Sequence, residues 1–503
     1  MNTWSKWLTG IAMLLPGMVT AQSFTETALL FSRTRPTGSA RIMGMGGAQT
    51  SLGGDYSSAY SNPAGLGMFN KSEFSISPGF NSSKINSEYL GNPLSDSKTN
   101  LHIPSLGFVF QNEQDGRNGF LSGAFAVSYS RINNFNQNFS YEGLNDNTSV
   151  IDYFLQDATG LQSDSFLPDG NNFNSPTGLA YNNYLIGEET ILDPNADPTQ
   201  YFTDVQGKPF QAETVQTQGA QNQWSFSYGA NFNDKFFIGG GVGFTTLRFE
   251  TQKRYSENFS DGPLSDLTLD ENLSIRGSGI NATGGFIYRP LEILQLGVSY
   301  TSPTLYKLTD VYNATMNTSW DDWDYFGDGS QILGNESEFT DDVISEYDLR
   351  TPGRLNLGAT VFFQKYGFLS ADVELVNYSG AKYSSSVSGI SYNSDNENIK
   401  TLYQSTVNYK IGGEFRYESY RIRAGFSYMP DPFRSQQNDV SRDITSISGG
   451  LGYRAKKFYV DAAVVFTQGN SSYRPYRVNT QFSPLVELDN KTTFGMLTLG
   501  FPF

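Results

Sequence analysis

The sequence predicts an all-β protein: a transmembrane antiparallel β-barrel of about fourteen strands with a small N-terminal hatch, or plug, in its lumen. Three observations lead to this fold class. Apolar and polar residues alternate with a period of two through much of residues 71–503. Tight turns and long polar loops alternate along the same region, and the two ends of the chain carry the segments expected of an exported barrel.

The N-terminus has the parts of a secretory signal peptide. Lys6 precedes an apolar run at 7–19 that is too short to span a bilayer, and Ala21 is a small residue suited to a cleavage site. We therefore expect residues 1–21 to be a signal peptide and the mature chain to begin at Gln22. No cysteine follows the run, which excludes a lipoprotein anchor.

The composition narrows the classes of function. The chain has no cysteine, which excludes disulfides and thiolate metal sites, and His102 is its one histidine. Catalytic triads and multi-histidine zinc sites are hard to build from these residues, so we expect no enzyme and no cofactor. The formal net charge of -16 argues against a nucleic-acid partner.

The alternation is clearest in the C-terminal half. Apolar rows that face lipid are expected within 355–363, 369–375, 407–417, 422–428 and 458–466. Long loops are expected after Ser82 and Thr251 and, at greater length, over 133–222 and 306–350. The apolar row that ends at Phe503 resembles the C-terminal signal read by the barrel-assembly machinery, which we expect as a partner.

A barrel of about fourteen strands encloses a lumen that must be either open or occupied. Residues 22–70 are the expected occupant, because they lack the alternation and are rich in Gly, Ala and Ser. Residues 71–503 form the barrel. Four neighbouring glycines of the barrel, Gly239, Gly240, Gly241 and Gly243, are expected to let it pack closely against this hatch.

Three motifs mark the hatch. Gly44, Gly46 and Gly47 form a glycine cluster, Asp55 follows a pair of glycines, and the triplet Asn62, Pro63 and Ala64 comes next. This arrangement resembles the hatch of the FadL-type outer-membrane transporters of long-chain fatty acids and aromatic hydrocarbons. The resemblance implies a 14-stranded barrel, a multi-pass location in the outer membrane of a Gram-negative bacterium, and a hydrophobic small molecule as ligand.

The triplet also has a physical meaning of its own. Pro63 has no N–H and disfavours helical geometry at Asn62, whose side chain can bond backbone groups at the resulting turn. Two roles stay open for the motif residues: a structural one where the hatch joins the barrel, and a direct one in gating.

Charged residues are expected in the lumen, because charge facing lipid costs about 2–4 kcal/mol at the midplane. Lys410, Glu414, Arg416, Arg421 and Arg423 alternate inward on adjacent strands, with Asp372 and Glu374 on the strand before. They would either form ion pairs that support the hatch or present a cation to a ligand carboxylate.

An acidic segment at 321–342 is a weak candidate for calcium. Phe326 and Leu333 occupy positions at which an EF-hand needs ligands, so we expect a solvated loop and no metal.

Two functions remain. The first is passive uptake of a hydrophobic small molecule, implied by the resemblance, with release sideways into the bilayer and a ligand pathway past Met43, Met45, Leu52, Arg421 and Arg423. The second is a barrel adaptor in protein secretion, which would dock partners through loop 133–222, where 150–161 has one apolar helical face. The same helix would equally serve to cap the barrel. We expect a monomer among outer-membrane lipids.

Overall fold

The computed structural model describes residues 23–113, 119–189, 199–479 and 483–503. Its main feature is an antiparallel sheet that closes on itself. Strand β1 (Glu73–Tyr89) pairs with β21 (Val486–Pro502), from Glu73 opposite Pro502 to Glu88 opposite Glu487. The expected signal peptide and Gln22 lie outside the described residues.

The other strands are β2 (Asn92–Glu113), β3 (Phe120–Asn134), β4 (Gln137–Leu144), β5 (Gly187–Glu188), β6 (Tyr201–Phe202), β7 (Phe210–Phe232), β8 (Phe236–Asn258), β9 (Leu264–Leu291), β10 (Leu294–Thr301), β11 (Leu305–Asp324), β12 (Ile332–Phe339), β13 (Val343–Arg350), β14 (Arg354–Phe362), β15 (Gly367–Asn377), β16 (Lys382–Ser384), β17 (Ser405–Tyr417), β18 (Tyr420–Met429), β19 (Ile444–Arg454) and β20 (Tyr459–Tyr473). Three wall strands are interrupted: β3 continues as β4, β10 as β11, and β13 as β14. Counted in this way, the described wall is a closed barrel of fourteen strands, which confirms the predicted fold class.

The two faces of the wall follow the predicted alternation. Ile411 and Ile422 are exposed on the outer face, whereas Asn408, Glu414 and Arg423 are buried inside. Alternate residues therefore meet lipid and lumen, as the period of two requires.

The wall has a turn end and a loop end. The turn end carries short connections such as 418–419, and Phe503 lies there. At the loop end the strands run further than expected. β1 and β2 meet in a tight turn at Leu90 and Gly91, and β8 continues to Asn258, so no long loop follows Ser82 or Thr251.

The expected loops 133–222 and 306–350 also contain paired strands. β4 pairs with the first part of β7, and β11 pairs with β12 and β13. The apolar row that marks a strand in the sequence ends at the membrane boundary. Backbone pairing continues beyond it, because polar side chains in water leave the ladder of hydrogen bonds intact.

The hatch combines short helices with irregular segments. It contains α1 (Phe24–Ser32), α2 (Ala40–Met43), α3 (Ser58–Ser61) and a 3-10 helix, Pro63–Met68. α1 lies near the loop end, where Phe31 contacts the rings of Phe135 and Phe249, and the 3-10 helix packs against β7, β8 and β9. Among the described helices, none combines the length and the apolar character needed to cross a bilayer.

Helices also cover the loop end: α4 (Val150–Ala158), α5 (Pro176–Asn182) and α6 (Asn393–Leu402), together with the 3-10 helices Ser163–Phe166 and Tyr378–Gly380. A capping box formed by Ser149 and Asp152 starts α4. Its apolar residues Ile151 and Phe154 are buried in the same core cluster as Phe31 of the hatch. The apolar face of this helix therefore points into the barrel mouth, as a cap does.

Candidate functional site

The glycine cluster lies where the hatch touches the wall. Gly46 has φ +67°, and a Cβ there would come within 2.7–3.0 Å of the backbone of Phe426 on β18. Its N–H donates to Ser448 Oγ at 2.9 Å. A Cβ on Gly44 would lie 3.2 Å from Gly450 Cα, and Gly47, with φ +80°, packs against Pro36 within the hatch. Residues with side chains would push the hatch away from the wall.

Asp55 organises the hatch internally. Its Oδ2 accepts a hydrogen bond from Ser39 Oγ at 2.6 Å, and its Oδ1 accepts from Ser57 N and Oγ at 3.0 and 2.7 Å. Ser39 is the N-cap of α2, so one carboxylate ties the start of that helix to the turn before α3.

The triplet joins the hatch to β10 of the wall. Asn62 Nδ2 donates to Thr50 O at 2.6 Å and to Val298 O at 3.4 Å, and its Oδ1 accepts from Ala64 N at 3.2 Å. Pro63 begins the 3-10 helix, where its missing N–H costs nothing. Gly239 of β8 lies directly against Pro63 and Ala64.

Two further buried groups attach the hatch to the wall. Asp372 Oδ2 accepts from Gln49 N, Thr50 N and Thr50 Oγ1, each at 2.8 Å. On the opposite side, the Tyr56 hydroxyl is hydrogen-bonded to Ser77 Oγ at 2.8 Å and to Ser105 Oγ at 2.7 Å. The hatch is thus held on several sides by directional bonds as well as by close packing.

The inward charges form an ion-pair network. Arg423 is completely buried between Glu414 and Asp461, at 2.7 Å from each, and Glu414 also pairs with Arg41 of the hatch at 3.6 Å. Arg421 is not part of it: its guanidinium donates to the backbone oxygens of Glu418 and Tyr420 at the turn end. The network supports the hatch and leaves Arg423 no free face toward a ligand.

The three apolar hatch residues expected on the ligand pathway, Met43, Met45 and Leu52, have different surroundings. Met45 and Leu52 are buried in a small cluster with Ile42 and Phe368. Met43 packs against Ala463, Val465 and Met496 of the wall and also lines a cavity. The structure therefore brings Met43 to a cavity, whereas Met45 and Leu52 pack where the hatch meets the wall.

The wall itself is incomplete between β2 and β3. Their backbone pairing runs from Glu113 opposite Ser122 only as far as Ser105 opposite Ser130, whereas β2 pairs with β1 from Val109, opposite Glu73, to Asn92, opposite Tyr89. The next residue of β2 is Pro104, which has no N–H to offer a partner strand. Beyond it, a side-chain contact replaces the ladder: Asn134 Nδ2 donates to Asn100 Oδ1 at 3.5 Å.

We call the separation between the Ser105–Ser130 pair and the Asn100–Asn134 contact the wall gap. A cavity reaches it from the hatch, with about 1000 Å³ of space free of atoms, part of it open to solvent. Its lining joins hatch residues (Arg35, Pro36, Thr37, Met43), residues of the gap (His102, Pro104, 131–134) and the facing wall (including Met429, Val465 and Phe494). This gap cavity therefore reaches from the hatch to the inner side of the wall gap.

A second cavity lies on the other side of hatch residues 34–37. It is more polar, with Asp372, Glu374 and Lys410 in its lining, and it shares Arg35, Pro36 and Ile132 with the gap cavity. We call it the lumenal cavity. The hatch segment at 34–37 therefore separates two spaces inside the barrel.

Comparison with known proteins agrees with this geometry. The family model described as outer membrane protein transport protein (OMPP1/FadL/TodX) matches residues 198–493. The chain belongs to this family.

Solved structures agree on the fold of this OMPP1/FadL/TodX family member. The crystal structure of a Pseudomonas aeruginosa FadL homologue has 14% sequence identity and a TM-score of 0.53, over 93% of this chain and 99% of the other. The Pseudomonas putida toluene transporter TodX has 14% identity and a TM-score of 0.50, over 92% and 98%. A sequence search of curated proteins found no match.

Family membership places the chain in the outer membrane as a transporter of hydrophobic compounds. The family consists of transport channels rather than enzymes. The loop end is then the extracellular end, and the turn end faces the periplasm.

Sequence reasoning missed the side chains at the wall gap and Arg35. The sequence singled out His102 only as the one histidine, and the structure places it, half-buried, in the lining of the gap cavity beside Phe494. One signal was available: a proline within a strand, such as Pro104, indicates a free edge. Nothing in the sequence pattern marked Arg35, because it lies in an irregular hatch segment.

Proposed function

We propose that this transporter takes up a hydrophobic small molecule passively, either a long-chain fatty acid or a hydrocarbon, and releases it sideways into the outer membrane through the wall gap. One observation carries the proposal: the gap cavity extends from Met43 and residues 35–37 of the hatch to the place where β2 and β3 separate. The toluene transporter TodX, of the same fold, supports a small hydrophobic cargo.

A sideways exit solves a specific physical problem. Each CH₂ group moved from an apolar site into water costs about 0.8 kcal/mol, so a sixteen-carbon chain resists release into the periplasm by about 12 kcal/mol. Release into lipid avoids that barrier. The blocked turn end, where Tyr56 and the 3-10 helix pack against the wall, favours the lateral route over a straight one.

Several expectations accompany this proposal. Residues 1–21 would be removed on export, residues 22–70 would act as the hatch, and Phe503 would be read by the barrel-assembly machinery during insertion. We propose that the motif from Gly44 to Ala64 fixes the hatch beside the gap. The secretion-adaptor alternative gains no support from α4, because its apolar face is buried in the barrel mouth.

The wall gap can be tested by reversible closure, since the chain has no cysteine of its own. Asn134→Cys places a thiol in the lining of the gap cavity. Thr246→Cys, at an exposed outward position on β8, is the matched control. Cells that lack the native gene would express each variant, receive a bulky methanethiosulfonate reagent, and be given labelled oleate.

We expect modification of Asn134→Cys to reduce uptake several-fold and a reductant to restore it, with no change in the control. Full uptake through modified Asn134→Cys would reject the gap as the exit. Unchanged oleate and toluene uptake after deletion of the gene itself would reject the transport function.

A further inference from the structure

Arg35 differs from the other arginines of the hatch. Arg33 donates to the backbone oxygens of Met429 and Pro430, and Arg41 donates to Gly54 O and pairs with Glu414. Arg35 has neither a hydrogen bond nor an ion pair with any residue that the structure describes, and its side chain is exposed to the interior spaces of the barrel. A cation with no protein partner, inside a barrel, is available to an anion from outside the protein.

The surroundings of Arg35 are also positive. The gap cavity is lined by Arg35 and Arg131, and none of its described lining residues is Asp or Glu. The side chain of Arg131 makes a single hydrogen bond within the described chain, from Nε to Asn222 Oδ1, at 3.2 Å. The lumenal cavity is different, because Asp372 and Glu374 balance cations there. The two cavities that Arg35 borders thus differ in charge.

The same cavity offers an apolar surface beside these arginines. Pro36, Met43, Ile132, Met429, Val465 and Phe494 all contribute to its lining. Such a site matches a molecule with one anionic end and one apolar chain. A neutral hydrocarbon would use the apolar surface alone and leave Arg35 without a counter-charge.

We propose that Arg35, assisted by Arg131, binds the carboxylate of a single-chain amphiphile in the gap cavity, so that the cargo of this chain is a long-chain carboxylate rather than a neutral hydrocarbon. The planar guanidinium pairs with a carboxylate through two parallel hydrogen bonds. The alkyl chain lies along the apolar lining toward the wall gap. The inference rests on the proposed function and narrows its cargo.

Binding to the purified full-length protein in nanodiscs tests the inference. The readout is displacement of a fluorescent fatty acid by oleate, by oleyl alcohol with the same chain, and by acetate with the same head. We expect oleate to displace the probe at roughly 10- to 100-fold lower concentration than oleyl alcohol, as for loss of one charged hydrogen-bonding pair. Acetate is expected to have no effect in that range.

Arg35→Gln should remove most of the advantage of oleate and leave the alcohol unchanged. Arg35→Lys should keep part of the advantage of oleate, because lysine retains the positive charge but lacks the planar guanidinium that forms two parallel hydrogen bonds. Arg131→Gln should cause a smaller loss of that advantage than Arg35→Gln. Arg434→Gln is the matched control, since that guanidinium bonds Lys400 O at the loop end, away from both cavities.

The outcomes separate the two levels of proposal. Equal displacement by oleate and oleyl alcohol, unaffected by Arg35→Gln or by Arg131→Gln, would overturn the inference and leave hydrophobic transport intact. Failure of the probe, oleate and alcohol all to bind would count against the proposed function itself. Displacement by acetate alone would also overturn the inference, because it would indicate a simple anion site.

Discussion

Asp372 of β15 accepts hydrogen bonds from both the N–H and the hydroxyl of Thr50 in the hatch, each 2.8 Å long. The same carboxylate oxygen accepts from Gln49 N. Asp372 and these partners are buried, so the bonds cannot be replaced by water without opening the structure. This contact fixes the middle of the hatch to the wall.

Asp372→Ala is therefore expected to loosen the hatch. It leaves two buried N–H groups without an acceptor, at a cost of about 1–3 kcal/mol each. We expect a lower unfolding free energy in urea and a higher single-channel conductance in planar bilayers. Asp372→Asn keeps one oxygen acceptor and should have a smaller effect. If Asp372→Ala changed neither the unfolding free energy nor the conductance, Asp372 would not be the residue that fixes the hatch to the wall.

Adjacent glycines of β8 give a matched test of close packing. A Cβ on Gly239 would overlap Pro63 and Ala64 of the hatch, whereas the nearest heavy atom to a Cβ on Gly240 is Thr283 O, at 3.9 Å. Gly239→Ala should displace the hatch and lower the melting temperature by several degrees, since overpacking costs about 1–3 kcal/mol. Gly240→Ala should be neutral. Equal melting temperatures for the two variants would count against direct hatch contact at β8.

Asn62→Ala tests whether the triplet is structural or gating. The change removes the bonds to Thr50 O and Val298 O and leaves Ala64 N without its acceptor. We expect the unfolding free energy to fall by about 1–3 kcal/mol, while uptake of labelled oleate per folded molecule stays close to normal. Loss of uptake in a variant of normal stability would assign Asn62 to gating instead.

The cap at the loop end should depend on pH through Glu257. This carboxyl accepts from Ser149 Oγ, from Val150 N at 2.8 Å and from Gln211 Nε2 at 2.7 Å at the start of α4, and burial raises its pKa. The folded state then keeps the proton to a higher pH than the unfolded chain, in which the pKa of a glutamate is about 4.3. Stability of the cap should fall as pH rises from that value toward the folded pKa.

Hydrogen exchange of α4 amides, corrected for intrinsic rates, measures this effect. Glu257→Gln keeps an oxygen acceptor but cannot ionise, so its α4 should be better protected at neutral pH and insensitive to pH. Wild-type protection that is constant from pH 4 to pH 8 would rule out the role given to Glu257.

The barrel was predictable because its signal is local. Lipid accepts only apolar side chains and the lumen accepts polar ones, so each strand, such as the one carrying Ile411 and Glu414, shows the pattern in its own residues. The loop end was less predictable. Strands such as β4 continue in water on both faces, and the apolar row that identifies a strand is then lost.

The sequence predicted where the hatch lies, but it predicted only some of the contacts between the hatch and the wall. Gly46 and Asn62 stood out because turns and close approach restrict residue type, and the structure places both where the hatch meets the wall. Arg421 and Arg423 were expected together on a ligand pathway. They have different partners, because Arg423 is enclosed by Glu414 and Asp461 while Arg421 bonds the backbone of a turn.

The sequence by itself determined a closed barrel wall and a segment, residues 22–70, expected to occupy its lumen. Both follow from whether apolar and polar residues alternate, which is a property of neighbouring residues. Only the tertiary structure decided where β2 and β3 separate and that Arg35 has no ion-pair partner among the residues that the structure describes. The wall gap depends on how β2 and β3 diverge beyond Ser105, and the free guanidinium of Arg35 depends on which carboxylates the fold brings near it. Both are relations between residues distant in the chain, and no local pattern encodes them.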